Sequence, residues 1–481
     1  MKYELVTGGF NIKPGVITKK TFQEHKEKLL ARPNAHLAAD ARNRYGPPDK
    51  PFPLYRISTD GIMIPKYYGL ENFDKDKKET VTLTSTGESI NVEWLSTMKL
   101  RDHQVLSVSK IIESYNKLGG AVLCLGCGLG KTVVALHMIS KMKLKTLVIV
   151  HKEFLVNQWI DRANMFLPGV KIGILKQNKV EIEGNDIVIA MLQSLSMKEY
   201  PTGLLDCFGQ VIVDECHHIA AKVFCNGMYK VKGYSLGLSA TPDRKDGLGK
   251  VINWFLGPIV LSMSNISENK VTVKRYITDF EIEEVYNRGG KLNIANMITK
   301  VSELEDRNKF IIDLIVNIVN SEDGDKRQIL VLCERRAQLE YFSNKLGELD
   351  IENGLYMGGI KQKELDNSSK AKVILGTYAM SSEGFDVPTL NTLILASSKT
   401  DIEQSVGRVL RKIHDIPVYI IDICDMFSIF RNQSYQRRYF YKNKEYEIKT
   451  INNNQVVPNE VSDETGKNQT TLTGFSFKSS I

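Results

Sequence analysis

The chain has 481 residues, 42% of them apolar and 25% charged, a composition that builds folded domains and excludes long disorder, collagen-like repeats or a small disulfide-stapled scaffold for its bulk. Length alone predicts about three domains. Lys and Arg number 64 against 56 Asp and Glu, a net charge of +8 that permits a polyanionic partner without requiring one.

The start of the chain carries Glu4 and no apolar stretch of the kind a secretory signal needs. No apolar run approaches the ~18 residues that span a bilayer. The seven cysteines are an odd, scattered set, mostly inside apolar runs, as reduced core thiols are. The expectation is a soluble, intracellular protein, cytoplasmic or nuclear, with no membrane partner.

Residues 1–96 are irregular. Gly46-Pro47-Pro48 through Pro53 is a breaker cluster. The stretch Leu54–Leu70 reads as short strands with a turn at Asp60-Gly61. It carries no catalytic constellation and is expected to form a small α+β accessory domain.

The pattern changes near residue 97. Gln104 to Leu118 has helical spacing and stops at Gly119-Gly120, a good C-terminal cap pair. Apolar strand runs then alternate with helical stretches: 121–125, 146–150, 186–190, 211–215 and 235–240. Continuous apolar strands separated by helices predict a parallel sheet covered on both faces. The rhythm breaks over 263–300, which reads as a connector with some strand content in VTVKRYI. A second series follows, with a helix over Leu304–Val319 and strands at 329–333, 372–377, 392–397 and 418–424. The core is therefore expected to be two sequential α/β domains, 97–262 and 301–450. Residues 451–481, rich in Asn, Ser, Thr and Lys, read as a flexible tail.

The strongest local signal is LGCGLGKT, Leu125 to Thr132, between an apolar strand run and a helical stretch. Glycines at 126, 128 and 130 let backbone N–H groups wrap phosphate oxygens, and the following helix adds its positive end. Lys131 would reach the terminal phosphates and the Thr132 hydroxyl would ligate Mg²⁺. The general phosphate-loop pattern has Gly where this chain has Leu125, although the GxGKT end is intact. The second signal is VIVDECHH, residues 211–218. Carboxylates after an apolar strand lie at the carboxyl edge of the sheet, where α/β ligands bind. Asp214 would hold Mg²⁺ and Glu215 would orient or deprotonate the attacking water. In the second series, QSVGRVLR (Gln404–Arg411) places Arg408 and Arg411 three residues apart at the start of a predicted helix, on one face. Guanidinium groups there can stabilise charge on a transferring phosphoryl group.

These motifs stand in an order that resembles a superfamily 2 helicase, over roughly residues 98–424. Leu100–Gln104 resembles the adenine-reading motif, GCGLGKT motif I, TLVIVHKEFLVNQW motif Ia and DECH motif II. Ser239–Pro242 resembles motif III, Gly376–Pro388 motif V and QSVGRVLR motif VI. The DECH box and SATPDRKDG point to the XPB/UvsW-like branch, similar to the poxvirus transcript-release helicase and its relatives in large DNA viruses. The resemblance implies two tandem RecA-like parallel-sheet domains with a small N-terminal α+β extension and a flexible C-terminal tail. It implies that Arg101 and Gln104 read adenine, and that the loop Gly126, Cys127, Gly128, Leu129, Gly130, Lys131 and Thr132 binds ATP and Mg²⁺. It further implies that His217, Ser239 and Thr241 couple hydrolysis to strand binding, that Gly384 and Asp386 lie between nucleotide and nucleic acid, and that Gln404, Arg408 and Arg411 face the terminal phosphate.

The implied activity is an ATP- and Mg²⁺-dependent DNA helicase or translocase, 3′ to 5′, in transcription elongation or transcript release. Its partners are nucleic acid, DNA before RNA, and RNA polymerase or other transcription proteins. The protein is expected to act as a monomer, and a viral origin would add the virion as a location. Recombination or fork repair, an RNA helicase, the motor subunit of a restriction system, and a non-hydrolysing scaffold are the rival readings. The scaffold has no chemical need for Lys131, Glu215 and Arg411 together. Cys124-x-x-Cys127 has metal-site spacing but falls within the phosphate loop with no second pair, and reads as packing thiols. Phe430–Lys444 interleaves basic and aromatic residues. It suits either base stacking with phosphate contacts or an amphipathic helix whose aromatics dock on the core.

Overall fold

The computed structural model describes residues 2–32, 51–76, 78, 80–82, 86–126, 128–217, 222–240, 248–263, 269–382, 387–452 and 455–457. The chain divides into two compact units, the first of residues 1–267 together with 382–386, the second of residues 268–381 and 387–481. None of the described helices is long and apolar enough to cross a membrane.

The first unit opens with an extension built from β1 (Tyr3–Val6), β2 (Gly9–Ile12), α1 (Lys19–Lys28), the short pair β3 (Leu30–Ala31) and β4 (Phe52–Pro53), β5 (Arg56–Ser58), β6 (Gly61–Ile64), α2 (Lys66–Phe73) and β7 (Thr80–Thr82). Its five-stranded sheet has the order β5-β6-β2-β1-β7. The turn expected at Asp60-Gly61 joins β5 to β6, with Gly61 at φ +136° against the Ile12 carbonyl, where no side chain fits. The end of the same stretch, read from sequence as strand, is the helix α2.

Next come α3 (Asp102–Lys117), β8 (Gly120–Leu125), α4 (Lys131–Met142), β9 (Thr146–Val150), α5 (Glu153–Phe166), β10 (Ile172–Lys176), β11 (Lys179–Val180), β12 (Ile187–Met191), α6 (Leu192–Met197), β13 (Gln210–Val213), α7 (Lys222–Met228), β14 (Tyr234–Ser239), α8 (Gly249–Leu256) and β15 (Ile259–Met263). The strands form one sheet, β11-β10-β12-β9-β13-β14-β8-β15, parallel except for the β10–β11 hairpin. Alternate residues of each strand feed different cores. Ala121, Leu123 and Leu125 of β8 pack with α3, α4 and α5, whereas Val122 and Cys124 face the other side. That other side is closed by the extension: Phe10, Leu54 and Tyr68 share a core with Phe255 and Leu256. Tyr67 Oη lies 2.7 Å from Ser235 Oγ, and the Tyr229 hydroxyl donates to the Leu54 carbonyl at 2.7 Å. The N-terminal segment, read from sequence as a domain of its own, thus completes the core of the sheet that follows.

The second unit contains β16 (Val271–Thr278), α9 (Ile294–Glu303), α10 (Glu305–Val319), β17 (Ile329–Cys333), α11 (Arg336–Glu348), β18 (Asn353–Tyr356), α12 (Gln362–Ser368), β19 (Val373–Thr377), α13 (Tyr378–Ser382), β20 (Thr392–Leu395), α14 (Glu403–Val409), β21 (Val418–Asp425), α15 (Ser428–Asn443), β22 (Glu447–Asn452) and β23 (Gln455–Val457). The sheet order is β18-β19-β17-β20-β21-β16-β22-β23, parallel but for β22–β23. β16 lies within the stretch read as a connector, yet it pairs along its length with β21 and β22 and is integral to this sheet. The segment read as a tail begins with the end of β22 and β23; beyond Val457 it lies outside the described residues.

Two buried carboxylates tie this unit together. Arg437 donates to Asp422 at 2.8 Å and Tyr441 to the other Asp422 oxygen at 3.2 Å; Arg307 donates to both oxygens of Asp425 at 2.8 and 2.9 Å. Buried charges persist only when paired and hydrogen-bonded in this way.

Candidate nucleotide site

The loop after β8 is shaped by glycine. Gly128 and Gly130 adopt φ of +85° and +81°, which turns successive N–H groups inward and starts α4. A Cβ on Gly130 would lie 2.3 Å from Gln104 Nε2. The loop is pinned on both sides. Gly126 N–H donates to the Met263 carbonyl at 2.9 Å, and Gln104 Nε2 donates to the Leu129 carbonyl at 3.3 Å. His103 Nε2 stands 2.9 Å from that same carbonyl. Lys131 Nζ donates back to the Leu125 carbonyl at 3.0 Å, so its amine spans the loop. Thr132 is the next residue of α4, half-buried. Gln104 is itself fixed at the start of α3, where the Arg101 N–H donates to its Oε1 at 3.0 Å; Arg101 is exposed. Cys127 lies outside the described residues, and Cys124 is buried in β8.

The carboxylates follow β13. Asp214 is buried and accepts from the Trp159 indole at 2.9 Å and from the Glu215 N–H at 3.0 Å. Burial, reinforced by the Glu215 charge, pushes its carboxyl up to about 6, against the pull of Trp159 and Lys131. Each oxygen retains lone pairs beyond the bond it accepts, and a cation would relieve the cost of the buried charge. This donor set fits a magnesium ion, which needs one or two protein oxygens besides phosphate and water. Glu215 has φ +47°, a left-handed backbone rare outside glycine and typical of strained functional positions. Its Oε2 lies 3.4 Å from His217 Nδ1, and His217 Nδ1 lies 3.4 Å from Ser239 Oγ at the end of β14. A row of closely spaced polar groups therefore leads from the carboxylates after β13 to the end of the neighbouring strand.

The first unit thus brings together Gln104, the loop residues Gly126 and 128–132, Asp214, Glu215, His217 and Ser239. Thr241, Gly384 and Asp386 lie outside the described residues. In the second unit, Gln404 and Arg408 are in α14, with Arg408 buried. The helix ends at Val409, so Arg411 lies beyond it, and the expectation that one helical face carries both arginines is corrected. Sequence reasoning missed Trp159 and His103. The available signal for Trp159 was an indole on the core-facing side of α5, which needs a partner when buried.

A phosphate loop, a following carboxylate pair and a polar chain to the next strand, on a RecA-like sheet followed by a second such unit, define a nucleic-acid-dependent ATPase of the helicase type. Residues 97–244 match the family described as type III restriction enzyme, res subunit. A protein of Acanthamoeba polyphaga mimivirus, named as an ATP-dependent RNA helicase, is 35% identical over 463 residues, covering 93% of this chain and 86% of its own. A protein of African swine fever virus with the same kind of name is 26% identical over 370 residues, covering 70% of this chain and 71% of its own. Among solved structures, yeast Dbp5 bound to RNA and ADP BeF3 has the same fold, with a TM-score of 0.52 at 12% identity over 74% of this chain and 90% of that one. The chain belongs to the superfamily 2 helicases, is similar to those of large DNA viruses, and is an ATP-dependent helicase.

Proposed function

We propose that the chain is a Mg²⁺-dependent ATP hydrolase that drives 3′ to 5′ movement along DNA, in transcription elongation or transcript release. The observation that carries the hydrolytic part is the Asp214–Glu215–His217–Ser239 chain beside the phosphate loop. Backbone N–H groups of residues 128–131 hold the phosphates, and Lys131 exchanges the Leu125 carbonyl for them. Thr132 and Asp214 hold the magnesium ion, which supplies charge neutralisation at the phosphates. Glu215 takes the proton of the attacking water. His217 transmits the state of Glu215 to Ser239. Gln404, Arg408 and Arg411 add cationic and polar groups from the second unit, with Gly384 and Asp386 near nucleotide and strand, and Gln104 with Arg101 at the adenine.

The net charge of +8 suits a polyanionic track. The DNA assignment, the direction and the transcription role rest on the motif resemblance. RNA is the second reading, favoured by the names of the mimivirus and African swine fever virus relatives.

The test is ATPase activity with single-stranded DNA, duplex DNA, forks and RNA. Greater stimulation by DNA is the expected result, and greater stimulation by RNA selects the second reading. Glu215→Gln should bind ATP yet lose about 10²–10⁴-fold in turnover. Turnover near that of the unaltered chain removes Glu215 from its role.

A further inference from the structure

The second unit carries an exposed basic and aromatic stripe that the nucleotide chemistry does not use. α15 docks through Phe430, Ser434, Arg437 and Tyr441. This leaves Arg431, Tyr435, Arg438, Tyr439 and Lys442 on the opposite side, within an arc of about 100° at 3.6 residues per turn. The helix thus does both things that its composition left open: one set of aromatics docks, and another faces out. Tyr435 is 46% exposed and Tyr439 65%. Neither makes a ring contact, side-chain hydrogen bond or ion pair among the described residues. Adjacent exposed rings rimmed by polar and basic side chains form the kind of patch that marks an interaction surface.

Charge supports the same reading. α15 contains no Asp or Glu. Arg431 and Lys442 are exposed, and Arg438 is half-buried with a buried Nε that meets no hydrogen-bond acceptor. Arg437 anchors the helix rigidly through Asp422, so the stripe is held in place by a buried ion pair. The two tyrosines stand about one turn apart, about 6 Å along the axis, so both rings face the same side.

We propose that this face of α15 is an auxiliary grip for single-stranded nucleic acid, with bases stacking on Tyr435 and Tyr439 and phosphates held by Arg431, Arg438 and Lys442. The inference rests on the helicase reading above and adds a contact surface outside the motifs. Stacking and phosphate contact are both blind to sequence, so the grip takes any strand.

The experiment measures binding of a labelled single-stranded oligothymidine to the full chain, with ATP binding followed in parallel. Tyr435→Ala/Tyr439→Ala should weaken strand binding about tenfold or more and leave ATP binding unchanged. Tyr435→Phe/Tyr439→Phe should restore it, because the ring does the work. Arg438→Ala/Lys442→Ala should weaken binding and reduce its salt dependence by about 0.7 per lost phosphate contact. Unchanged strand binding in both alanine pairs overturns the proposal. If the tyrosine pair also loses ATP binding, the fold has been disturbed and the Arg438/Lys442 pair decides alone. Binding of polyglutamate that needs the cations but not the tyrosine rings assigns the face to an acidic protein and also overturns it. An unaltered chain that hydrolyses ATP but binds no strand overturns the helicase reading itself, and this one with it.

Discussion

The Trp159 indole donates to Asp214 Oδ2 at 2.9 Å, and both residues are buried. Trp159 reaches the carboxylate from α5, the helix that follows β9. Its role is orientation: the bond fixes which lone pairs of Asp214 face the phosphate loop. It also favours the charged form of a carboxyl that burial pushes the other way.

Trp159→Phe keeps most of the packing and removes the donor. Partners that orient a metal ligand typically control 10–100-fold in metal affinity or activity, so half-maximal ATPase should need about tenfold more Mg²⁺. Turnover at saturating Mg²⁺ should fall less. The measurement is an ATPase titration with Mg²⁺. An unmoved Mg²⁺ curve would leave Trp159 a packing residue only.

Gly130 and Gln104 form a second testable pair. Alanine at 130 must adopt φ near +81°, at about 1–2 kcal/mol, and its Cβ would sit 2.3 Å from Gln104 Nε2. Gly130→Ala should therefore displace Gln104 and weaken ATP binding about tenfold. Gln104→Ala removes the clashing amide but also the bond to Leu129. The double variant should bind ATP better than the two separate losses predict, as neighbours that share a contact are non-additive. Titration with a labelled nucleotide gives all four affinities. Strict additivity would show that the contact does not limit binding.

The central strands of both sheets were legible because they are short, uninterrupted apolar runs, such as Thr146–Val150 and Ile329–Cys333, buried along their length. The phosphate loop and the carboxylate pair were legible because their chemistry is local in sequence. Long-range packing was not. Nothing in Phe10 or Leu54 announces that they close the face of a sheet whose strands come much later in the chain. The strand content of β16 was visible in VTVKRYI, but its place in the second sheet was not, because its pattern mixes buried and half-buried positions and its partners come from β21 and β22. Arg411 was misplaced because helical spacing was extended past Val409, where α14 stops.

The Arg437–Asp422 pair should be costly to break. Arg437 gives Nε to Asp422, and its Nη1 to Ser398 Oγ and the Lys399 carbonyl, each at 3.0 Å, just before α14. Arg437→Met leaves Asp422 buried with Arg275 as its nearest cation at 3.8 Å. Removing one partner of a buried pair typically costs about 3–5 kcal/mol. Arg437→Met/Asp422→Leu should recover a large part of that loss, because it removes the stranded charge as well. Denaturant unfolding of the three variants checks the order: single arginine variant least stable, double variant between, unaltered chain highest. An Arg437→Met chain as stable as the original would show that Arg275 and Tyr441 suffice to hold Asp422.

Lys66 gives a pH signature for the first unit. Its Nζ donates to the Gly233 carbonyl at 3.4 Å and stands 5.0 Å from the centre of the Tyr67 ring, with no carboxylate partner among the described residues. Burial pulls its amine down to about 8. The folded form therefore sheds this proton at lower pH than the unfolded chain, where the amine titrates near 10.4. Between those values the unfolded chain binds more protons, so this group's contribution to stability grows as pH rises from 8 and is lost as pH falls back through 8. Buried phenols work in the opposite sense: burial raises Tyr67 and Tyr115, so their contribution is complete below 10 and fades above it. The clean window is thus pH 8 to 10. Lys66→Met, an isostere of similar volume without the charge, removes the first effect and leaves the second. The stability of the unaltered chain relative to Lys66→Met should rise across this window by roughly 2 kcal/mol at most, at 1.36 kcal/mol per unit. Parallel unfolding curves at pH 8, 9 and 10 measure it, and a difference that stays flat would mean that Lys66 keeps its proton in the folded chain.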